Sequence, residues 1–478
     1  MADPKKIIIN PVTRIEGHAS ITIDLDSAGE VADAHFHVNE FRGFEKFCEG
    51  RPYTEMPTIA PRICGICPVS HAIASVKACE MIMRLTPTAA ATRLRRIMHL
   101  GQMISSHALS FFHLSSPDFL LGWDSDPAKR NIIGIAEKFP DLAKRGIRLR
   151  KFGQECSERI TGKKIHAIGI AAGGMTSGLT EDNRKALLAW VPEAIETVGQ
   201  GLEIFKRYRD KEFSEVDTFA SFKTLYMGTV GPGGELDLYD GKLRFMNAEG
   251  GILRDQIDPK DYLQWIAEKP VEWSYLKNPY FKPLGYPNGI YRVGPLARLN
   301  VASSIPTKRA QKEFIEYKKS GNGKPLHGSF YYHYARLIEA LHAVEEMENI
   351  LNHPDVLSTD LMATGDRNQE EGVGSSEAPR GTLFHHYWTD ENGILRKINL
   401  LIATGQNNPA MNLSVLNVAK KYVRGSDVKE GALNRVEAAI RCYDPCLSCS
   451  THAIGSMPLE ITVRDHRKQI VNVIRRTS

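Results

Sequence analysis

Four cysteines fall into two C-x-x-C pairs, Cys64-Gly65-Ile66-Cys67 and Cys446-Leu447-Ser448-Cys449. The two-residue gap lets both sulfurs of a pair turn to one point, so two pairs brought together would make a four-thiolate site. Thiolates are soft ligands suited to zinc, iron and, in reduced sites, nickel. The spacing alone fits a closed structural zinc site, a redox disulfide pair or an active metal centre. Two local features weigh against plain zinc. Zinc ribbons keep their pairs within tens of residues because they staple small folds, whereas here nearly the whole chain lies between them. Each pair also has a charged neighbour, Arg62 or Asp444, and a histidine close by, His71 or His452.

Composition sets the frame. The chain has 478 residues, 42% hydrophobic and 24% charged, enough for one large domain or two to three ordinary ones. A formal charge of +5, from 61 basic and 56 acidic residues, is small for this length and makes no case for nucleic acid. No apolar run approaches the roughly 18–20 residues of a membrane span. The first residues, Met1-Ala2-Asp3-Pro4-Lys5-Lys6, lack the apolar core of a secretory signal, so a cytoplasmic location is expected. Eight cysteines are too sparse for a disulfide scaffold.

The elements that must carry the pairs are mainly helical. Lys6 to Asn10, Ala19 to Leu25 and Val31 to Val38 predict an N-terminal β-meander. Helices are expected from about Val69 to Arg84, over 88–114, as one or two over 129–160, from Glu181 to Arg209, and from His327 to Leu351. Ile165 to Ile170 reads as a short strand, and 217–325 as a β-rich or irregular insertion. Glu371 to Arg380 is Gly-rich and polar and reads as a loop. Gly381 to Thr404 reads as a hairpin around Asp390-Glu391-Asn392-Gly393. Asn408 to Val423 and Glu430 to Arg441 are helical, the latter running into Asp444-Pro445-Cys446. The expected class is mainly α with small β-sheets (α+β): a bundle of long buried helices with a peripheral β-meander and hairpins.

Further stretches join the cysteine pairs in one ordered pattern. They are Arg14-Ile15-Glu16-Gly17-His18, Phe41-Arg42-Gly43-Phe44-Glu45, Arg62-Ile63-Cys64, Glu377-Ala378-Pro379-Arg380-Gly381 and Asp444-Pro445-Cys446 through His452. In these stretches, from end to end, the chain resembles the large, catalytic subunit of nickel–iron hydrogenases. Glu40 to Phe47, Glu272-Trp273-Ser274-Tyr275 and Arg292-Val293-Gly294-Pro295-Leu296 are most similar to the cytoplasmic, cofactor-coupled group, which includes NAD-reducing enzymes.

The resemblance implies that all four cysteines bind nickel, Cys64 and Cys446 as terminal ligands and Cys67 and Cys449 as bridges to an iron carrying CO and cyanide. It implies reversible heterolytic cleavage of H2 to protons and electrons. Glu16 would take the proton out; read alone, it is more readily an ion-pair partner of Arg14 or a loop cap. Arg380 would stand over the open metal site; read alone, it is a structural salt bridge. Asp444 would orient Arg380 or a cysteine, His71 would donate to a bridging sulfur, and Thr404 would place a hydroxyl near a cyanide. Glu45, His452 and the carbonyl of Leu400 would bind magnesium. Electrons would pass to an iron–sulfur small subunit, then to NAD(P) or another soluble carrier on further subunits, because this chain has no second cluster motif and no G-x-G-x-x-G setting. Nickel-insertion proteins and a maturation protease are implied. The protease would cut after His452, leaving 1–452 as the catalytic domain and removing 453–478, read as a strand from Leu459 to Val463 and a basic end. The rival reading is a four-cysteine structural zinc protein or assembly scaffold without redox activity.

Overall fold

The computed structural model describes residues 6–425, 428–451, 459–464, 467 and 469–476. Its centre is built by long helices, some of which leave little solvent face. Helix α1 (Pro68–Met83) buries every residue from Pro68 to Val76. It opens on a proline, whose missing N–H is no loss in a first turn, and stops at Arg84 in the left-handed region, φ 50°. Helix α2 (Ala89–Ala108) starts at Thr88, whose hydroxyl accepts from Ala91 N. It continues through a π-helical stretch, Leu109–Ser115. Helix α3 (Pro140–Thr161) crosses α2 at two glycines: a Cβ on Gly153 would lie 2.1 Å from the Gly101 carbonyl oxygen. Helices α4 (Val191–Lys211) and α5 (Tyr331–Leu351) complete the bundle, with α5 packed on both α2 and α4.

Small sheets lie around this core. Strands β1 (Lys6–Ile9), β2 (Ser20–Leu25) and β3 (Val31–His37) form the antiparallel meander and bury Ile21, Ile23, Leu25 and Phe36. A second antiparallel sheet joins β4 (Glu371–Ala378), β5 (Gly381–Thr389) and β6 (Leu395–Leu401) in that order. Helix α6 (Asn408–Tyr422) packs on β3 and on α7 (Glu430–Arg441), which leads into the single turn α8 (Leu447–Ser450). The class is therefore the α+β arrangement expected. Among the described residues no helix is long and apolar enough to cross a membrane.

Four expectations need correction. Glu371 to Ala378 is a strand, not a loop, and only Pro379-Arg380 turn. Its glycines serve close approach rather than turning: a Cβ on Gly374 would meet the Ala74 carbonyl oxygen at 1.9 Å, and one on Gly372 the Ala78 carbonyl oxygen at 2.2 Å. The strand thus lies directly on the backbone of α1. Ile165 to Ile170 forms no strand until Ile170–Ala171, which pairs with Gly174–Met175. Glu181 to Arg209 is two helices, Glu181–Leu188 and α4, because Pro192 has no N–H to continue the first. The 217–325 insertion does hold strands, including Leu225–Val230, Lys242–Met246 and Ile252–Ile257. It also holds helices Pro295–Val301 and Lys308–Ser320. The latter buries Ala310, Phe314 and Tyr317, a helical spacing already legible in the sequence.

Candidate metal centre

The two C-x-x-C segments meet beside the N-terminus of α1. Cys64 Sγ lies 3.2 Å from Cys446 Sγ, and Cys67 Sγ and Cys446 Sγ each lie 3.1 Å from Cys449 Sγ. All four sulfurs fall within 4.8 Å of one another, and all four residues are buried and unbridged. A disulfide would bring two sulfurs to about 2.0 Å, so these are crowded thiols. Hydrogen bonds from its neighbours, Cys446 first, hold the Cys64 thiol well below its ordinary value. Burial pushes Cys446 and Cys449 well above theirs. Four thiolates could share this space only around a cation, and the all-sulfur donor set suits a soft one. The residues therefore fit a nickel–iron group. The space beside them is lined by Ala378, Leu383, Ile402 and Ala403, with His71, Arg380 and Thr404 as its polar members.

The first pair is fixed by the helix it opens. Cys67 immediately precedes α1. Gln102, from α2, takes the orphan N–H groups of Val69 at 2.7 Å and Ser70 at 3.3 Å through one oxygen, and its amide nitrogen donates to the Ser70 hydroxyl. One turn along α1, His71 Nε2 stands 3.4 Å from Cys449 Sγ.

The second pair is fixed from a distance. Leu447 N donates to the Glu16 carbonyl oxygen at 3.1 Å, Ser448 N donates to Glu16 Oε2 at 3.1 Å, and the Ser448 hydroxyl donates to Glu16 Oε1. Glu16 and Cys446 form a parallel β-bridge. Such approach requires Gly17, at φ 86°, because a Cβ there would lie 2.7 Å from Leu447 Cβ. Cys446 N donates to Thr404 Oγ1 at 3.0 Å. Arg42 Nη1 bridges the two segments, donating to Ile63 O at 2.5 Å and Ser448 O at 3.1 Å. Arg14 is not the partner of Glu16. It pairs with buried Asp118 at 2.5 Å, which Arg441 also holds at 3.0 Å.

Arg380 sits 3% exposed at the turn between β4 and β5. Its Nε donates to the backbone oxygen of Asp444, and its Nη2 lies 3.0 Å from Asp444 Oδ2 without hydrogen-bond alignment. Burial disfavours the guanidinium charge, but Asp444 and then the sulfurs of Cys446, Cys67 and Cys64 outweigh it, so its pKa is raised. Burial pushes the Asp444 carboxyl up against the pull of Arg380 and Arg336.

Beneath Arg380 is a hub that sequence reasoning missed. Fully buried Arg298 pairs with Glu339 through Nε at 2.7 Å and Nη2 at 2.6 Å, and with Glu377 at 2.7 Å. It also donates to the carbonyls of Ala378 at 2.9 Å and Pro379 at 3.2 Å, the two residues before Arg380. Glu339 further accepts from His107 at 3.1 Å. The available signal was a lone arginine in the apolar stretch Pro295–Val301, which buries all seven residues. Farther out, Leu400 N donates to Glu45 Oε1 at 2.7 Å, bringing those two expected residues together. The expected role of His452 lies outside the described residues.

Comparison with known proteins agrees with this geometry. A family model described as nickel-dependent hydrogenase matches residues 42–130 and 247–452, and one described as HoxL-like matches 6–41. The chain is 42% identical to the NAD-reducing hydrogenase HoxS subunit beta of Cupriavidus necator, covering 98% of this chain and 99% of that one. It is 41% identical to the corresponding chain of the F420-non-reducing hydrogenase vhc of Methanococcus voltae, covering 96% and 97%. Its structure superposes on that of an NAD+-reducing NiFe-hydrogenase in the H2-reduced state with a TM-score of 0.91, 43% identity and coverage of 94% and 99%. A NiFeSe hydrogenase from D. vulgaris Hildenborough, 22% identical over 94% of this chain and 100% of that one, shares the fold with a TM-score of 0.75. The chain therefore belongs to the nickel-dependent hydrogenase family, as a large subunit.

Proposed function

We propose that this chain is the catalytic subunit of a nickel–iron hydrogenase that cleaves H2 reversibly to protons and electrons. The observation that carries this reading is the convergence of four buried, unbridged sulfurs within 4.8 Å, in a chain of this family. Cys64, Cys67, Cys446 and Cys449 would hold the centre through their sulfurs. When bound, the nickel–iron centre, with CO and cyanide on iron, supplies the Lewis acidity and soft basicity that polarise H2.

The chain's own groups do the rest. Glu16 receives the proton released at Cys446, to which it is bridged through the backbone, and Ser448 holds its carboxylate in place. Arg380 holds a positive charge over the sulfurs, oriented by Asp444. His71 faces Cys449, and Thr404, whose hydroxyl accepts from Cys446 N, would present that hydroxyl toward the bound centre. The apolar wall of Ala378, Leu383, Ile402 and Ala403 excludes water from the reacting side. Glu45, the Leu400 carbonyl and His452 would hold a magnesium ion.

Electrons leave to an iron–sulfur small subunit, then to NAD(P) or a similar soluble carrier on further subunits of a cytoplasmic complex. This part rests on the NAD-reducing relatives. Nickel-insertion proteins load the chain, and a protease then cuts after His452, separating the 1–452 catalytic domain from 453–478. Metal analysis with infrared spectroscopy of the purified complex tests the proposal. One nickel per large chain, iron in excess of nickel because the iron–sulfur subunit carries iron as well, and bands from iron-bound CO and cyanide are expected. Zinc alone, without such bands, would support the structural-zinc reading instead. The mass of the active large chain should correspond to one ending at His452, and active protein retaining Ser478 would refute the processing step.

A further inference from the structure

Helix α1 and strand β5 face each other along a line of buried polar groups that leads away from the sulfurs. Cys67, His71 and Ser75 stand four residues apart and so share one face at the start of α1. His385 and Tyr387 stand two apart and share one face of β5. The two rows interlock. His71 presents Nε2 to Cys449 Sγ at 3.4 Å and Nδ1 to His385 Nε2 at 3.0 Å. His385 Nδ1 lies 2.6 Å from the Tyr387 hydroxyl, which donates to Ser75 Oγ at 3.0 Å. None of His71, Ser75, His385 and Tyr387 is more than 1% exposed. Burial raises the Tyr387 pKa well above its ordinary value, so its hydroxyl keeps the proton it donates.

We propose that His385, Tyr387 and Ser75 are positioning residues that hold the His71 ring, Nε2 foremost, against the sulfur of Cys449. The inference deepens the nickel–iron reading above and rests on it. The contacts hold the ring from both sides: Nδ1 stands against His385 and Nε2 against Cys449 Sγ, while Tyr387 and Ser75 hold His385 in turn. A ring engaged through one nitrogen turns about its last side-chain bond; one engaged through both does not. The orientation of an imidazole beside a ligand sulfur sets how much electron density that sulfur offers a bound metal. Groups standing behind such a contact are typically worth about 10–100-fold in activity or metal affinity.

The next residue along β5 supplies a control. His386 points to the opposite face, where it pairs with Glu371 at 2.7 Å and Tyr262 at 3.2 Å. Tyr387→Phe, His385→Gln and His386→Gln are prepared in the full complex, and infrared bands of the iron ligands, nickel content, thermal stability and turnover are measured for each. Tyr387→Phe and His385→Gln are expected to shift the bands and lower turnover about 10-fold, while His386→Gln keeps the parental spectrum. Loss of nickel in the first two variants with parental thermal stability also supports the proposal. Parental bands and turnover in both would overturn it, as would equal damage in all three variants, which would mark a general disturbance of β5. A parent complex with neither nickel nor such bands would instead refute the nickel–iron reading, and this inference with it.

Discussion

The two C-x-x-C segments share one motif and are held in place in different ways. Cys64 and Cys67 lead directly into a buried helix, and a single side chain, Gln102, closes the exposed N–H groups at its start. Cys446 precedes, and Cys449 lies within, a single helical turn with little structure of its own. Their segment is held by Glu16, Thr404, Arg42 and Arg380, drawn from four remote parts of the chain. The first pair therefore takes its geometry mainly from the helix it opens, the second from tertiary contacts alone. Some of those contacts are also groups proposed above to act in the chemistry, so at the second pair positioning and the proposed function are hard to separate.

The largest expected effect erases the difference. Cys67→Ser and Cys449→Ser should each abolish nickel retention, read by metal analysis of the purified complex, because each removes one of only four soft donors. Retained nickel in either variant would show that the pairs do not share one site. Glu16→Gln keeps an oxygen to accept from Ser448 and should leave nickel and iron in place. Turnover and H/D exchange should fall by about 10²–10⁴-fold. Parental exchange would reduce Glu16 to a structural clamp of the second pair.

A third test addresses the hub beneath Arg380. Burial lowers the pKa of His107 to about 4, and His99 and His342 likewise to about 4. Glu339 is held at about 2, because Arg298 outweighs the burial that would raise it. Each histidine is neutral when folded and takes up a proton on unfolding below its ordinary value of 6.5. Stability should therefore be level above pH 6.5 and fall steadily as the pH drops towards 4. His107→Gln should remove about 3 kcal/mol of that fall, read from denaturant midpoints across the range. An unchanged pH profile would show that His107 is not buried neutral.

The smallest effects separate the two modes of positioning. Gly17→Ala forces a Cβ against Leu447 and should cost about 1–3 kcal/mol with a loss of metal retention. Gln102→Ala leaves the start of α1 uncapped and should cost about 1 kcal/mol, with metal retention near parental. Equal metal loss in both would mean that the first pair depends on tertiary contacts as much as the second.

Reading the sequence succeeded where a local pattern was enough. The apolar spacing of Ile97, Leu100 and Ile104 marked α2, and alternation marked the meander. It failed where glycine had two meanings. Gly372 and Gly374 read as loop residues, yet they let β4 lie on α1 with no side chain between. Nothing local tells a glycine that turns the chain from one that admits another backbone. Arg298 was passed over for a similar reason: its partners Glu339 and Glu377 lie far along the chain, and only their convergence makes a buried guanidinium tolerable.

By itself, the sequence determined the donor set, four cysteines in two pairs, and the helical periods that bury them. Both follow from residue type and short-range spacing, which do not depend on the rest of the fold. The tertiary structure alone decided that the pairs meet, that Glu16 grips the second pair rather than Arg14, that Arg298 anchors the strand leading to Arg380, and that His71 is backed by His385 and Tyr387. These are long-range pairings, and each is set by the packing of α1 against β4 and β5 and of the Glu16 segment against the chain's last cysteines.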